Sequence, residues 1–182
     1  MRGLFLTLDY PPNRGGVARY YEHLVRFLPQ DHRVVLAHGV GETTTDDHGV
    51  TVIRQPLLGP AWFWPRWMGA FFAVRRNLRR EGKALLHIGN VLPLGTVALL
   101  CKRFFGSPYI LYTHGLDIPL ARSPWKRLLM RQVLHHASCV VANSSYTRDQ
   151  VVRFGIPGDR LVVVLPGCNR PAAVHEAEIQ KV

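Results

Sequence analysis

The chain has 182 residues, 47% of them hydrophobic, which supplies the core of one ordinary domain and leaves little room for a second. Its formal charge of +11, from 23 Lys+Arg against 12 Asp+Glu and mostly arginine, favours a polyanionic partner: nucleic acid, an anionic membrane surface or a phosphorylated substrate. Apolar runs fall short of the roughly 18 to 20 residues a membrane span needs, no secretory leader opens the chain, and Cys101, Cys139 and Cys168 form no CxxC pair, so a spanning protein, a disulfide framework and a zinc site are set aside and the chain is read as cytoplasmic.

The first predicted element is a buried strand, "LFLTLDY" from Leu4 to Tyr10, followed by a helix from Gly16 to Leu28 whose apolar residues Val17, Tyr20, Tyr21, Leu24, Phe27 and Leu28 recur at helical spacing. "RVVLAHG" (Arg33 to Gly39) and "VTVIRQP" (Val50 to Pro56) read as strands separated by the polar turn "GETTTDDHG". A helix from about Pro65 to Arg80 precedes the strand "ALLHIG" (Ala84 to Gly89), and a helix from about Leu94 to Phe105 precedes "PYILYTHG" (Pro108 to Gly115). A helix from about Pro124 to His136, the strand "CVVANS" (Cys139 to Ser144), a helix from about Tyr146 to Phe154 and the strand "LVVVLPG" (Leu161 to Gly167) complete the pattern. Strands alternating with helices, nearly all apolar in the strands, predict a Rossmann-like, doubly wound α/β domain, mostly parallel, with helices on both faces.

Open parallel sheets bind ligands beyond the carboxyl ends of their strands, where the strand order switches. The loops expected there are Asp9 to Gly16, Gly89 to Leu92, Thr113 to Pro119, Asn143 to Thr147 and Pro166 to Asn169. In the first, "YPPNRGGVARYYEHL" places Gly15 and Gly16 at a helix N-terminus, where unpaired N–H groups and the missing Cβ suit a phosphate. GxGxxG and GxxxxGK[ST] are both absent, so a plain turn stays open as the other reading of this segment.

Taken in order, Gly15-Gly16 opening a helix, "YTHGLD" (Tyr112 to Asp117) after a central strand and "VVANSSYTRDQVVRFGIPGDRLVVVLPG" (Val140 to Gly167) resemble the N-terminal domain of family-four glycosyltransferases of the GT-B fold. The resemblance covers nearly the whole chain and implies half of a retaining, hexosyltransferase-type enzyme. This half would hold the acceptor, and a C-terminal Rossmann-like domain, absent here, would bind the nucleotide-diphosphate sugar. It implies a domain over residues 1–170 and an interdomain linker, or the start of the missing domain, over 171–182, with no turnover expected from this piece alone. Pro166-Gly167-Cys168-Asn169 departs from the family's usual interdomain linker. Neither a cofactor nor a metal is expected; the substrate is the nucleotide sugar.

Carried over by position, the resemblance assigns Gly15 and Gly16 to donor or acceptor phosphate and His114 to the reacting centre. A strand-end histidine bonded to a backbone carbonyl is the structural alternative for His114. Asp117 positions an acceptor hydroxyl or caps the next helix, with the cap preferred; Asn143 and Ser144 bind acceptor or cap, Ser145 being the other candidate N-cap.

In "GPAWFWPRWMGAFFAVRRNLRREGK" (Gly59 to Lys83), Trp67, Phe71, Val74 and Leu78 recur at helical spacing while Arg75, Arg76, Arg79 and Arg80 gather on another face. Two readings stand: an interfacial helix on the anionic inner face of the cell membrane, helped by Trp62, Phe63 and Trp64 ahead of an N1 proline at Pro65, or a helix packed on the sheet. Arg122, Lys126, Arg127 and Arg131 would extend the basic surface if the two helices are neighbours. Expected partners are thus a nucleotide sugar, a glycan or lipid-linked acceptor, and an anionic membrane. A nicotinamide enzyme would need GxGxxG and an acidic residue ending the second strand, and nucleic-acid motifs are lacking. A non-catalytic phosphosugar-binding module is the alternative function.

Overall fold

A computed structural model describes residues 1–119, 121 and 123–167. The linker expected at 171–182, together with Cys168, Asn169 and Arg122, lies outside the described residues.

Among the described residues eight strands form one sheet: β1 (Gly3–Thr7), β2 (Val34–His38), β3 (Thr44–Thr45), β4 (Thr51–Gln55), β5 (Leu85–Ile88), β6 (Tyr109–Thr113), β7 (Cys139–Ala142) and β8 (Leu161–Val163). Their order is β3-β4-β2-β1-β5-β6-β7-β8, parallel throughout except for the β3–β4 pair. Strand β1 is buried along its whole length because it has neighbours on both sides and helices over both faces. The doubly wound prediction therefore holds. The departure is β3, which lies inside the segment expected to be a turn: Thr44 and Thr45 are exposed and carry no apolar signal, so only the sheet edge beside Val52 and Thr51 identifies them as a strand.

Among the described residues five α-helices connect the strands: α1 (Gly16–Phe27), α2 (Met68–Glu81), α3 (Leu94–Phe105), α4 (Pro124–His136) and α5 (Ser145–Val152). They are shared unequally. Buried residues of α2, α3, α4 and α5 join Leu4, Leu6, Leu86, Leu111 and Val140 in one core, whereas α1 supplies Tyr21 and Val25 to a smaller core with Phe5, Val35 and Tyr112 on the other face. Helix α3 ends at Gly106 with φ of 66°, a left-handed conformation that glycine adopts without a Cβ penalty. Helix α4 opens with Pro124 in its first turn, where the missing N–H costs nothing.

Two boundaries correct the sequence reading. Pro65 is not the first residue of α2; its carbonyl accepts the Met68 N–H at 3.2 Å in a preceding turn, and Trp67 occupies the N-cap position. The last strand stops at Val163, with one further backbone bond from Val164 N–H to the Ala142 carbonyl at 2.9 Å.

Candidate functional site

The strand order switches direction between β1 and β5, so the loops leaving these two strands diverge to opposite faces and open a crevice between them. Gly15 is the N-cap of α1 on one side of this crevice. Its φ of 174° is extended backbone open to any residue, and a Cβ built on Gly15 or Gly16 would meet nothing within 4 Å. Folding does not require glycine at either position. Among the described residues no side chain caps the helix, whose first amides and positive dipole end border a concavity of about 550 Å³ walled by Asn13, Arg14 and Arg19. The Arg54 guanidinium donates to the Pro11 carbonyl at 2.6 Å and pins this loop to β4.

Across the crevice, the loop after β6 begins at His114. Its N–H donates to Asp117 Oδ2 at 2.8 Å, and the Asp117 N–H donates back to the His114 carbonyl at 3.0 Å. Asp117 therefore closes its own turn and caps no helix, since α4 starts seven residues later at Pro124 with Ser123 as its N-cap; the preferred capping reading is corrected. Burial is the main cause that pushes the Asp117 carboxyl up to about 6; the hydrogen bond from His114 works against it and the Asp9 carboxylate adds to it.

The His114 ring is held at both nitrogens. Nε2 lies 2.7 Å from the Tyr21 hydroxyl, which also donates to the Gly89 carbonyl, and Nδ1 lies 3.1 Å from Asn143 Nδ2. The ring also meets Tyr20 and Tyr21 edge-on. Desolvation lowers the His114 pKa, partly opposed by Asp9. The sequence alternative of a histidine bonded to a backbone carbonyl is thus answered by a hydroxyl and an amide. Ser144 is the N-cap of α5, its Oγ accepting the Thr147 N–H at 3.1 Å, and Asn143 Oδ1 accepts the Thr147 hydroxyl at 2.8 Å.

The fold therefore brings His114, Asp117, Asn143 and Ser144 into one cluster and sets Gly15 and Gly16 on the adjoining helix. Tyr20 links the two parts: its ring touches His114, and it lines a groove of about 550 Å³ that runs from Gly16 to the segment after β8. Three participants were not singled out from sequence. Tyr21 reads there as one more apolar residue of α1. Asn90 lies in a loop that was expected to face the ligand; its Oδ1 accepts the Leu8 N–H at 3.0 Å and its Nδ2 donates to Asp9 Oδ2 at 3.4 Å. Thr147 is buried behind Asn143.

The aromatic and basic segment lies apart, around α2. Trp62 and Trp64 are 85% and 80% exposed, while Trp67 is half-buried against the core, and so is Phe71. Ala70, Ala73, Val74 and Leu78 are buried, so the apolar stripe of α2 is a core face, as the packed-helix reading has it. This corrects Trp67 as a membrane-contact residue. Arg76, Arg79 and Arg80 are exposed, whereas Arg75 is half-buried beside Leu78 and Phe105. Helix α3 packs between α2 and α4, so the basic residues of α4 do not continue those of α2. No helix among the described residues is long and apolar enough to cross a membrane.

Comparison with known proteins identifies the fold and the family. The structure superposes on sucrose-phosphate synthase from Thermosynechococcus elongatus with a TM-score of 0.77 at 16% identity, covering 99% of this chain and 53% of that one. HepE from Anabaena, solved in complex with UDP and glucose, matches with a TM-score of 0.70 at 16% identity over 93% of this chain and 45% of its own. The fold is that of GT-B glycosyltransferases, of which it spans about half. In sequence, a GDP-mannose-dependent alpha-(1-6)-phosphatidylinositol monomannoside mannosyltransferase of Mycobacterium tuberculosis is 26% identical over 99% of this chain and 49% of its own length. A protein of the same name from Mycolicibacterium smegmatis is 25% identical over 91% of this chain and 44% of its own. The chain thus spans about half the length of the curated relatives it matches. The family model of Glycosyltransferase Family 4 matches residues 14–170, the stretch that carries the glycine loop, His114 and Asn143, and the chain belongs to that family.

Proposed function

We propose that this chain is the acceptor-side half of a retaining glycosyltransferase that moves a sugar from a nucleoside diphosphate sugar to a glycan or lipid-linked acceptor. The observation that carries the reading is the uncapped, sterically open start of α1 at Gly15-Gly16, on the helix whose Tyr20 and Tyr21 meet the His114 ring. The leaving group of such a reaction is a pyrophosphate, and helix amides with Arg14 and Arg19 stabilise its growing charge as the glycosidic bond breaks. Asp117 has one carboxylate oxygen committed to the His114 N–H and a second to offer an acceptor hydroxyl. Asn90 and Asp9 supply further polar atoms on the β1–β5 side. The names of the mycobacterial relatives support GDP-mannose as the first donor to try, and UDP-bound HepE supports UDP-glucose as the second.

The test is turnover by the full-length protein with each of these donors and a panel of acceptors, read as release of the nucleoside diphosphate. Release that depends on acceptor, retention of anomeric configuration in the product and a loss of about tenfold in His114→Ala, the worth of one polar contact, are expected. Undiminished turnover in that variant removes His114 from the reaction. Absence of turnover with every donor leaves the phosphosugar-binding module as the better account.

A lipid-linked acceptor requires the protein to reach a membrane surface. Trp62 and Trp64 project their apolar area into solvent ahead of a helix carrying exposed Arg76, Arg79 and Arg80, a combination that suits an anionic lipid interface. In flotation with vesicles, binding is expected only when anionic lipid is present, and Trp62→Ala/Trp64→Ala is expected to weaken it about tenfold. Equal, negligible binding to neutral and anionic vesicles defeats the membrane reading.

A further inference from the structure

The hydrogen bonds around His114 have one self-consistent direction. Tyr21 owns a single hydroxyl proton, and that proton is given to the Gly89 carbonyl. At 2.7 Å from His114 Nε2, the Tyr21 oxygen can then only accept, so Nε2 carries the ring proton. A neutral imidazole has no second proton. Nδ1 is therefore a lone pair, and it accepts from the Asn143 amide at 3.1 Å. That lone pair needs a donor, which turns the Asn143 amide Nδ2 toward the ring and leaves Oδ1 to accept the Thr147 hydroxyl at 2.8 Å. Thr147 Oγ1 in turn accepts from the Ser144 hydroxyl at 2.9 Å, and Ser144 Oγ takes the Thr147 N–H. With the ring neutral, every proton in the string from Ser144 to Gly89 has one place to be; a charged ring would require the Asn143 amide to turn over.

We propose that Tyr21 and Asn143, with Thr147 behind Asn143, are positioning residues that hold His114 neutral in the Nε2–H tautomer, so that it meets the reacting sugar as a fixed, uncharged group. The proposal rests on the glycosyl-transfer reading of the crevice. It also changes the role of Asn143 from a group that binds acceptor to one that sets a ring. A ring with both nitrogens occupied cannot take or give a proton to a substrate without breaking the string. It also brings no positive charge that would compete with the α1 N-terminus for the pyrophosphate. Desolvation of the ring works in the same direction, while Asp9, across the crevice, opposes it weakly. Asp117, the other carboxylate of the cluster, is satisfied through the His114 backbone instead of the ring.

The tautomer can be read without any substrate. Long-range ¹H–¹⁵N spectra of the histidine-labelled chain are expected to show His114 with Nε2 protonated and Nδ1 bare at neutral pH, and still uncharged near pH 6.5, where an ordinary imidazole is half protonated. Asn143→Asp keeps the size but replaces the donor with an acceptor, so the ring must place a proton on Nδ1. Tyr21→Phe removes the acceptor at Nε2. In the full-length protein with GDP-mannose or UDP-glucose, both variants are expected to lower kcat about tenfold with KM for the donor within about threefold. Thr147→Ser retains the hydroxyl and should keep the wild-type spectrum and rate, which Thr147→Val should not. A wild-type spectrum showing the other tautomer, or a half-charged ring near pH 6.5, overturns the proposal whatever the activity. A shifted tautomer in Asn143→Asp with unchanged kcat overturns its bearing on the reaction. A wild type inactive with every donor overturns the transferase reading and the kinetic half of this one together, and the spectra still decide the tautomer.

Discussion

Gly16→Leu is expected to cost the full-length protein on the order of a hundredfold to a thousandfold in kcat/KM for the nucleotide sugar, with no loss of fold stability. The two halves of this outcome have separate causes. A Cβ at Gly16 meets no atom of the described residues within 4 Å, so the native backbone needs no adjustment to carry one. Gly16 is also the first residue of α1, where replacing glycine reduces the conformational freedom of the unfolded chain and stabilises by roughly 0.5–1 kcal/mol. The same open space, however, lies over the first amides of α1, and a leucine side chain would stand between them and a phosphate. Loss of a preorganised donor to a developing oxyanion typically costs about 10²–10³ in rate. Thermal unfolding together with titration of GDP or UDP separates the effects. A raised or equal midpoint with lost nucleotide affinity and rate is the expected result. Unchanged affinity for both nucleotides would mean that the glycine pair is a turn and that the cradle lies elsewhere. Gly15→Val provides a second check, because its extended φ of 174° accepts a β-branched residue equally well.

Much of the scaffold could be read from periodicity and punctuation. Helices α1, α3 and α4 start where expected because Gly16, Leu94 and Pro124 follow breaks in the strand pattern, and α3 stops where Gly106 turns left-handed. The start of α2 was misjudged because Pro65 carries the same signal as Pro124. Trp67 at the N-cap shows that the chain uses three more residues to turn before winding. Strand β3 left no trace because its two threonines gain nothing from burial and exist only as partners of β4. The site divides in the same way. His114, Asn143 and Ser144 sit at strand ends, where polar residues stand out against apolar neighbours. Tyr21 does not, since its ring belongs to the core of α1 and its hydroxyl becomes chemical only because β5 and β6 bring Gly89 and His114 to it. Asp117 was misread for a related reason. A carboxylate shortly before a helix looks like a cap until the turn back to its own residue 114 is seen.

A second prediction concerns stability and lies behind the site, among the rings of the smaller core. His87 on β5 is buried between the Phe5 and Tyr112 rings, its Nδ1 3.0 Å from the Tyr112 hydroxyl and its Nε2 3.1 Å from His32 Nδ1. His32 Nε2 lies 2.9 Å from the Met1 carbonyl and must donate to it, so the His87 ring sits between the Tyr112 hydroxyl and a His32 ring anchored on the first residue. Burial, helped by the neighbouring His32, pushes the His87 pKa down to about 4. An unfolded histidine titrates near 6.5. As pH falls below that value the unfolded chain takes up a proton that the folded chain refuses. The contribution is therefore intact above about pH 6.5, is lost progressively between about 6.5 and 4, and amounts to about 3 kcal/mol at about 1.36 kcal/mol per unit. Asp117 acts with the opposite sign: its raised pKa favours the folded state at low pH, and this support fades as pH rises through about 6. The wild-type curve sums the two, so the decisive quantity is a difference. His87→Phe keeps a ring between Phe5 and Tyr112 but strands the Tyr112 hydroxyl and His32 Nδ1, at an expected cost of about 1–3 kcal/mol at neutral pH. Asp117 is common to both proteins and cancels. Denaturant unfolding at pH 7 and pH 4.5 should show the wild type more stable at the first and the gap closed or reversed at the second. A gap that stays constant between these two values would mean that His87 is not held neutral by the fold.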